Sequence, residues 1–108
     1  MPYPFVSMRK GPLAPQTVVV QGQTVTSFLV VWDQPASSYD NYLVVIQNPD
    51  GTERSSTNLG PQEVTLDVFD LLPGTTYGIQ VYSTVGTGDG LIRSEPREAM
   101  GTTGESYM

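Results

Sequence analysis

The chain has 108 residues, with five basic and eleven acidic side chains, a net charge of −6, and neither cysteine nor histidine. That length is one domain whose core can remove roughly two-thirds of the unfolded surface from water, and the composition excludes disulfides, Cys-based zinc sites and histidine chemistry. The acidic balance repels a phosphate backbone and argues against nucleic acid as a partner.

Residues 1–13 carry Pro2, Pro4 and Pro12 and no periodic pattern, which predicts a flexible N-terminal arm in which Tyr3, Phe5 and Val6 are apolar enough to dock. Prolines and charges stand there where a signal peptide needs a continuous apolar run, and no stretch reaches the ~20 apolar residues of a membrane span, so no membrane insertion is expected. From residue 14 to 103, β-branched and aromatic runs recur between turn signals and nothing recurs at helical spacing. The predicted strands are 17–21, 27–33, 42–48, 53–57, 63–68, 76–85 and 95–102: an all-β, seven-stranded, immunoglobulin-like sandwich. Between the third and fourth, "NPDG" from Asn48 to Gly51 suits a type I turn and a hairpin. Residues 104–108 read as a flexible tail.

Successive side chains of a strand point to opposite sides, which assigns faces. Phe28, Val30 and Trp32 form one inward set; Tyr42, Val44 and Ile46, then Val64, Leu66 and Val68, then Tyr77, Ile79 and Val81 form the others. Thr65, Asp67, Gln80 and Thr84 are polar and outward. The outward sets also contain apolar residues: Val19, Leu29 and Val31 on one face, Leu43, Val45 and Tyr82 on the other. Contiguous exposed apolar residues mark contacts, and Leu43, Val45 and Tyr82 are the candidate protein-contact face. On this reading Val45→Asp is silent in an isolated module and disperses an assembly.

The search for chemistry is short. The only lysine, Lys10, lies in the arm, so no nucleophile–base triad assembles. Asp67/Asp70 and Glu95/Glu98 are spaced as solvated surface, "DGTE" at Asp50–Glu53 lacks calcium-loop spacing, and Asn41, Asn48 and Asn58 are not glycosylation sequons. No enzyme, cofactor or metal is expected.

"TSFLVVWDQP" (Thr26 to Pro35) and "LLPGTTYGIQVYS" (Leu71 to Ser83) resemble the fibronectin type III family, the first its B strand with a buried Trp32, the second its L-x-P-G-T-x-Y signature at Leu71, Pro73, Gly74, Thr75 and Tyr77. "SEPREAMGTT" resembles its last strand. The resemblance implies Trp32, Tyr42, Leu71 and Tyr77 as structural core, with the Tyr77 hydroxyl returned to backbone just upstream. It also places "VGTGDGLIRS" (Val85 to Ser94) in the F-to-G hairpin. A phosphate cradle there would need a helix N-terminus directly after the glycines, and "LIRSEP" begins a strand with a proline. Some family members carry an integrin-read Arg-Gly-Asp in this hairpin; here Thr87 replaces the arginine before Gly88 and Asp89, which argues against integrin binding. Thr87 and Asp89 remain candidate protein contacts, because loops on a rigid sandwich are where such domains bind.

The family resemblance implies a non-catalytic adhesion, spacer or protein-interaction module, excised from a multidomain cell-surface receptor or extracellular matrix protein. Its partners would be other proteins or neighbouring domains. The alternatives are a self-contained structural protein decorating a larger assembly such as a virion, and an engineered binding scaffold.

Overall fold

The computed structural model describes residues 11–105. Eight strands follow in chain order: β1 (Val18–Gln21), β2 (Phe28–Trp32), β3 (Asn41–Gln47), β4 (Glu53–Leu59), β5 (Thr65–Val68), β6 (Thr76–Val85), β7 (Ile92–Arg93) and β8 (Arg97–Thr102). They form two antiparallel sheets: a three-stranded sheet ordered β1-β2-β5, and a five-stranded one ordered β4-β3-β6-β7 in which β8 also pairs with β6. The all-β sandwich is therefore as the alternation predicts.

The strand count differs by one because a two-residue strand, Ile92–Arg93, forms ahead of the last predicted strand, 95–102, whose observed counterpart is Arg97–Thr102. Pro96 cannot donate a ladder hydrogen bond, and ahead of it the buried Ser94 takes the Ser83 amide on its hydroxyl at 3.0 Å and donates its own amide to the Ser83 carbonyl. β7 precedes that interruption and β8 follows it. β4 runs two residues further than predicted, to Leu59, and β5 starts two later, at Thr65. The "NPDG" hairpin forms: Gly51, at φ 90°, donates to the Asn48 carbonyl at 2.9 Å, and Asp50 accepts both the amide and the hydroxyl of Thr52.

Phe28, Val30, Trp32, Tyr42, Val44, Ile46, Val68, Leu71, Tyr77, Ile79 and Val81 make one buried core, with Val64 and Leu66 packed half-buried against it. Trp32 meets Tyr42 edge-on at 5.4 Å between ring centres, and Phe28 meets Tyr77 at 6.2 Å. The Tyr77 hydroxyl accepts the Leu72 amide at 2.9 Å, the upstream return that the resemblance implies. Thr103, buried, locks the same corner by donating to the Leu72 carbonyl and accepting from the Thr75 amide.

Tyr3, Phe5 and Val6 of the predicted arm, and residues 106–108 of the tail, lie outside the described residues. Residues 11–13 lie within them and are held: the Leu13 amide donates to Ser37 Oγ, its carbonyl accepts from Ser83 Oγ, and Pro12 is buried. Gly104 is likewise bonded, to Thr24 and Gly74.

Candidate protein contact surface

The candidate surface is built by register. Leu43 on β3 stands directly opposite Tyr82 on β6 and Asn58 on β4, and two residues along, Val45 stands between Gln80 and Ser56. All six share the outer face, since the inward set of β3 is Tyr42, Val44 and Ile46. The Arg93 guanidinium from β7 lies 4.9 Å from the Tyr82 ring centre, within cation–π range. Beyond it, Gln80 donates to Glu98 on β8 at 3.0 Å. Leu43 and Tyr82 are half-buried, presenting an apolar strip bordered by a cation, a carboxylate and amides.

Val45 departs from the expectation that it is exposed. Only 7% of its surface reaches solvent; β3 is an interior strand, and Val45 stands between Ser56 of β4 and Gln80 of β6. Thr84, expected outward and open, is also buried, at 2%. It sits on interior strand β6, between Asn41 of β3 and Arg93 of β7.

The β6–β7 hairpin is fixed rather than merely glycine-rich. Gly86, at φ 87°, donates its amide to Asp40 Oδ2 at 2.8 Å, and a Cβ there would lie 2.7 Å from the Gly90 carbonyl oxygen. A short 3-10 turn, Gly88–Gly90, follows, with the Gly90 amide on the Thr87 carbonyl and the Leu91 amide on that of Gly88. Thr87 lines a groove of about 480 Å³ with Asn41, Asn58, Thr84, Gly88 and Leu91. Asp89 is exposed in the turn and lies outside that groove. Leu43, Val45 and Tyr82 share one face by register, Thr87 shares a groove with Asn41 and Asn58 of that face, and Asp89 is not brought together with them.

Three neighbours escaped the sequence reading. Asn41 and Asn58 were considered only as glycosylation sites, and Arg93 not at all; each reaches this face through strand register, which alternation alone does not supply. The carboxamides and the Thr87 hydroxyl can exchange hydrogen bonds with a peptide backbone, and the Leu43–Tyr82 strip can bury apolar surface.

A family model for the fibronectin type III domain matches residues 13–100. The chain belongs to that family. A segment of 79 residues is 35% identical to the collagen alpha-1(XII) chain of Oryctolagus cuniculus, covering 70% of this chain and 12% of that one. The chain thus spans about an eighth of the length of this curated relative. Among solved structures, a computationally redesigned β-sandwich protein superposes with a TM-score of 0.77 at 24% identity, covering 93% of this chain and 96% of its own. A two-domain fibronectin type III segment of chicken tenascin gives 0.72 at 22% identity, over 82% of this chain and 48% of that one. These two likenesses are of fold. Fibronectin type III domains are in general non-catalytic binding modules, and among the described residues no helix of this one is long and apolar enough to cross a membrane.

Proposed function

We propose that this fibronectin type III domain is a non-catalytic adhesion or spacer module of a larger extracellular matrix or cell-surface protein, meeting other proteins or neighbouring domains through the outer face of its five-stranded sheet. Leu43 and Tyr82 are the apolar centre, Val45 lies beside Leu43 on the same face, and Thr87 and Asp89 extend the contact onto the hairpin. The observation that carries the reading is the Leu43–Tyr82 pair, side by side on interior strands with the Arg93 guanidinium over the ring. Tyrosine and arginine around a central apolar residue are the residue types that dominate contact energetics. The collagen-chain relative, much longer than this domain, supports the matrix setting.

Binding of the purified domain to matrix laid down by cultured cells tests the proposal. Losing a central aromatic contact weakens binding by about 2 kcal/mol, or roughly thirtyfold, so the double substitution Leu43→Asp/Tyr82→Ala abolishes retention. Val19→Asp, on the outer face of the other sheet, leaves it intact. Equal retention by all three proteins, or loss only with Val19→Asp, would overturn the assignment.

A further inference from the structure

Two aspartates of the chain are followed by glycine: Asp50–Gly51 in the β3–β4 hairpin and Asp89–Gly90 in the β6–β7 hairpin. At such a step a backbone can rewrite itself, because glycine has no side chain to shield its amide nitrogen from the carboxyl carbon of the residue before it. The three asparagines offer no such route. Asn48 precedes Pro49, which has no N–H, and Asn41 and Asn58 stand in strands before the bulky Tyr42 and Leu59.

The fold holds the two steps differently. Asp50 Oδ1 accepts the Thr52 hydroxyl at 2.6 Å and the Thr52 amide at 3.0 Å, and these donors, the hydroxyl above all, hold its carboxyl below the usual range. A tethered carboxylate has no hydroxyl to expel and cannot turn toward the next amide. The Asn48 amide on the Thr52 carbonyl, at 2.8 Å, shuts the loop around it. Asp89, in contrast, is exposed in the middle of the Gly88–Gly90 turn, and no hydrogen bond from a described residue reaches its carboxylate. That turn is closed by the Gly90 amide on the Thr87 carbonyl at 3.0 Å and the Leu91 amide on that of Gly88 at 3.2 Å. Backbone bonds so exposed open locally at little cost. A Cβ on Gly88 or Gly90 would meet nothing within 4 Å, so a ring has room to form.

We propose that Asp89–Gly90 is a modification site at which this domain isomerises its own backbone, and that Thr52 keeps Asp50–Gly51 from doing the same. The Gly90 nitrogen bonds to Cγ of the protonated Asp89 carboxyl; the nitrogen gives up its proton and the carboxyl hydroxyl leaves with it as water, closing a succinimide. Water then adds at the former main-chain carbonyl of Asp89 and breaks its bond to nitrogen. The chain now runs through Cγ, and the α-carboxylate of Asp89 is free. The water lost in the first step returns in the second, so no oxidant, reductant or other co-reactant is required. The isoaspartate adds a methylene to the hairpin backbone and resets the turn that the Thr87 and Gly88 carbonyls close. The proposal does not depend on the outer face being a binding surface.

Prolonged incubation of the full 108-residue chain in mildly acidic buffer, followed by digestion and electron-driven fragmentation that separates isoaspartate from aspartate, tests it. Isoaspartate is expected to accumulate at Asp89 about tenfold faster than at Asp50, since a hydrogen bond to a charged group shifts an equilibrium by about that factor. Gly90→Val, which has room for its side chain, stops accumulation at Asp89 and leaves Asp50 unchanged. Thr52→Val removes the hydroxyl donor and raises the rate at Asp50 without altering that at Asp89. Equal rates at the two positions in the unsubstituted chain, or isoaspartate first at Asp50, would overturn the proposal. So would an intact Asp89 under conditions in which a synthetic peptide of residues 85–94 has converted.

Discussion

Leu43 and Tyr82 face each other across β3 and β6 on the outer side of the five-stranded sheet, while Val45, two residues along the same strand, is covered by its neighbours. The difference separates residues open to solvent from a residue that is covered. Leu43→Asp places a charge where solvent can reach it and is expected to change stability by about 0.5 kcal/mol or less, with the thermal midpoint nearly unmoved.

Val45→Asp behaves differently from the sequence expectation of silence. A carboxylate between Ser56 and Gln80 loses most of its water and gains no cation there, and leaving a buried polar group unsatisfied costs about 1–3 kcal/mol, more when it is charged. Denaturant unfolding of the isolated domain is expected to show that loss for Val45→Asp and a markedly smaller one for Leu43→Asp. Equal midpoints would contradict the cover seen over Val45.

Gly101 marks where β8 approaches the core. A Cβ there would lie 2.8 and 2.9 Å from Phe28 ring atoms, which Tyr77 packs against on another side. Gly101→Ala is expected to cost about 1–3 kcal/mol through overpacking. Gly78→Ala meets only the far end of the Gln47 side chain, at 2.9 Å, which swings aside. Calorimetry of the two variants should rank them in that order.

Tyr42 gives a prediction in pH. Its hydroxyl is buried without a hydrogen-bond partner, as is Trp32 Nε1, and burial pushes the phenol above its ordinary value. Below that ordinary value of about 10 the phenol is neutral folded and unfolded, and pH has no leverage through it. Above about 10 the unfolded chain gives up the proton while the folded one keeps it, so stability falls as pH rises. Tyr42→Phe is expected to be near neutral at pH 7, because it removes an unpaired group, and to flatten the alkaline decline in urea midpoints between pH 9 and 11. An unchanged slope would contradict the cause given.

Asp70 is the non-glycine residue with positive φ, 63°, among the described residues, and its carbonyl takes a 2.8 Å bond from Arg54 Nη2. Aspartate tolerates this left-handed geometry better than alanine does, by local hydrogen bonding. Asp70→Ala is expected to lose about 1 kcal/mol and Asp70→Gly to retain stability, as read by chemical denaturation.

Much of this was legible in the residues. The inward sets of β2, β3 and β6 follow from period-two alternation, and the Tyr77 corner from "LPGTTY" at Leu72 to Tyr77. What escaped is what alternation does not encode. An outward residue on an interior strand, such as Val45, is roofed by strands distant in sequence. Thr84 is buried between Asn41 and Arg93, neighbours that only the strand pairing supplies. Arg93 meets Tyr82 only through the β6–β7 register, and residues 11–13 are held by Ser37 and Ser83, 24 and 70 residues away from Leu13. For the proposed contact site, residue identity supplied Leu43 and Tyr82 and register supplied their surroundings.

The most direct test of the central claim is a hydrogen-exchange footprint of the domain on and off the matrix that retains it. The account predicts slowed exchange on binding across residues 43–45, 80–82 and 86–91, with residues 19–21 and 29–31 of the other sheet unchanged. Protection confined to the three-stranded sheet, or absent from both outer faces, would contradict it.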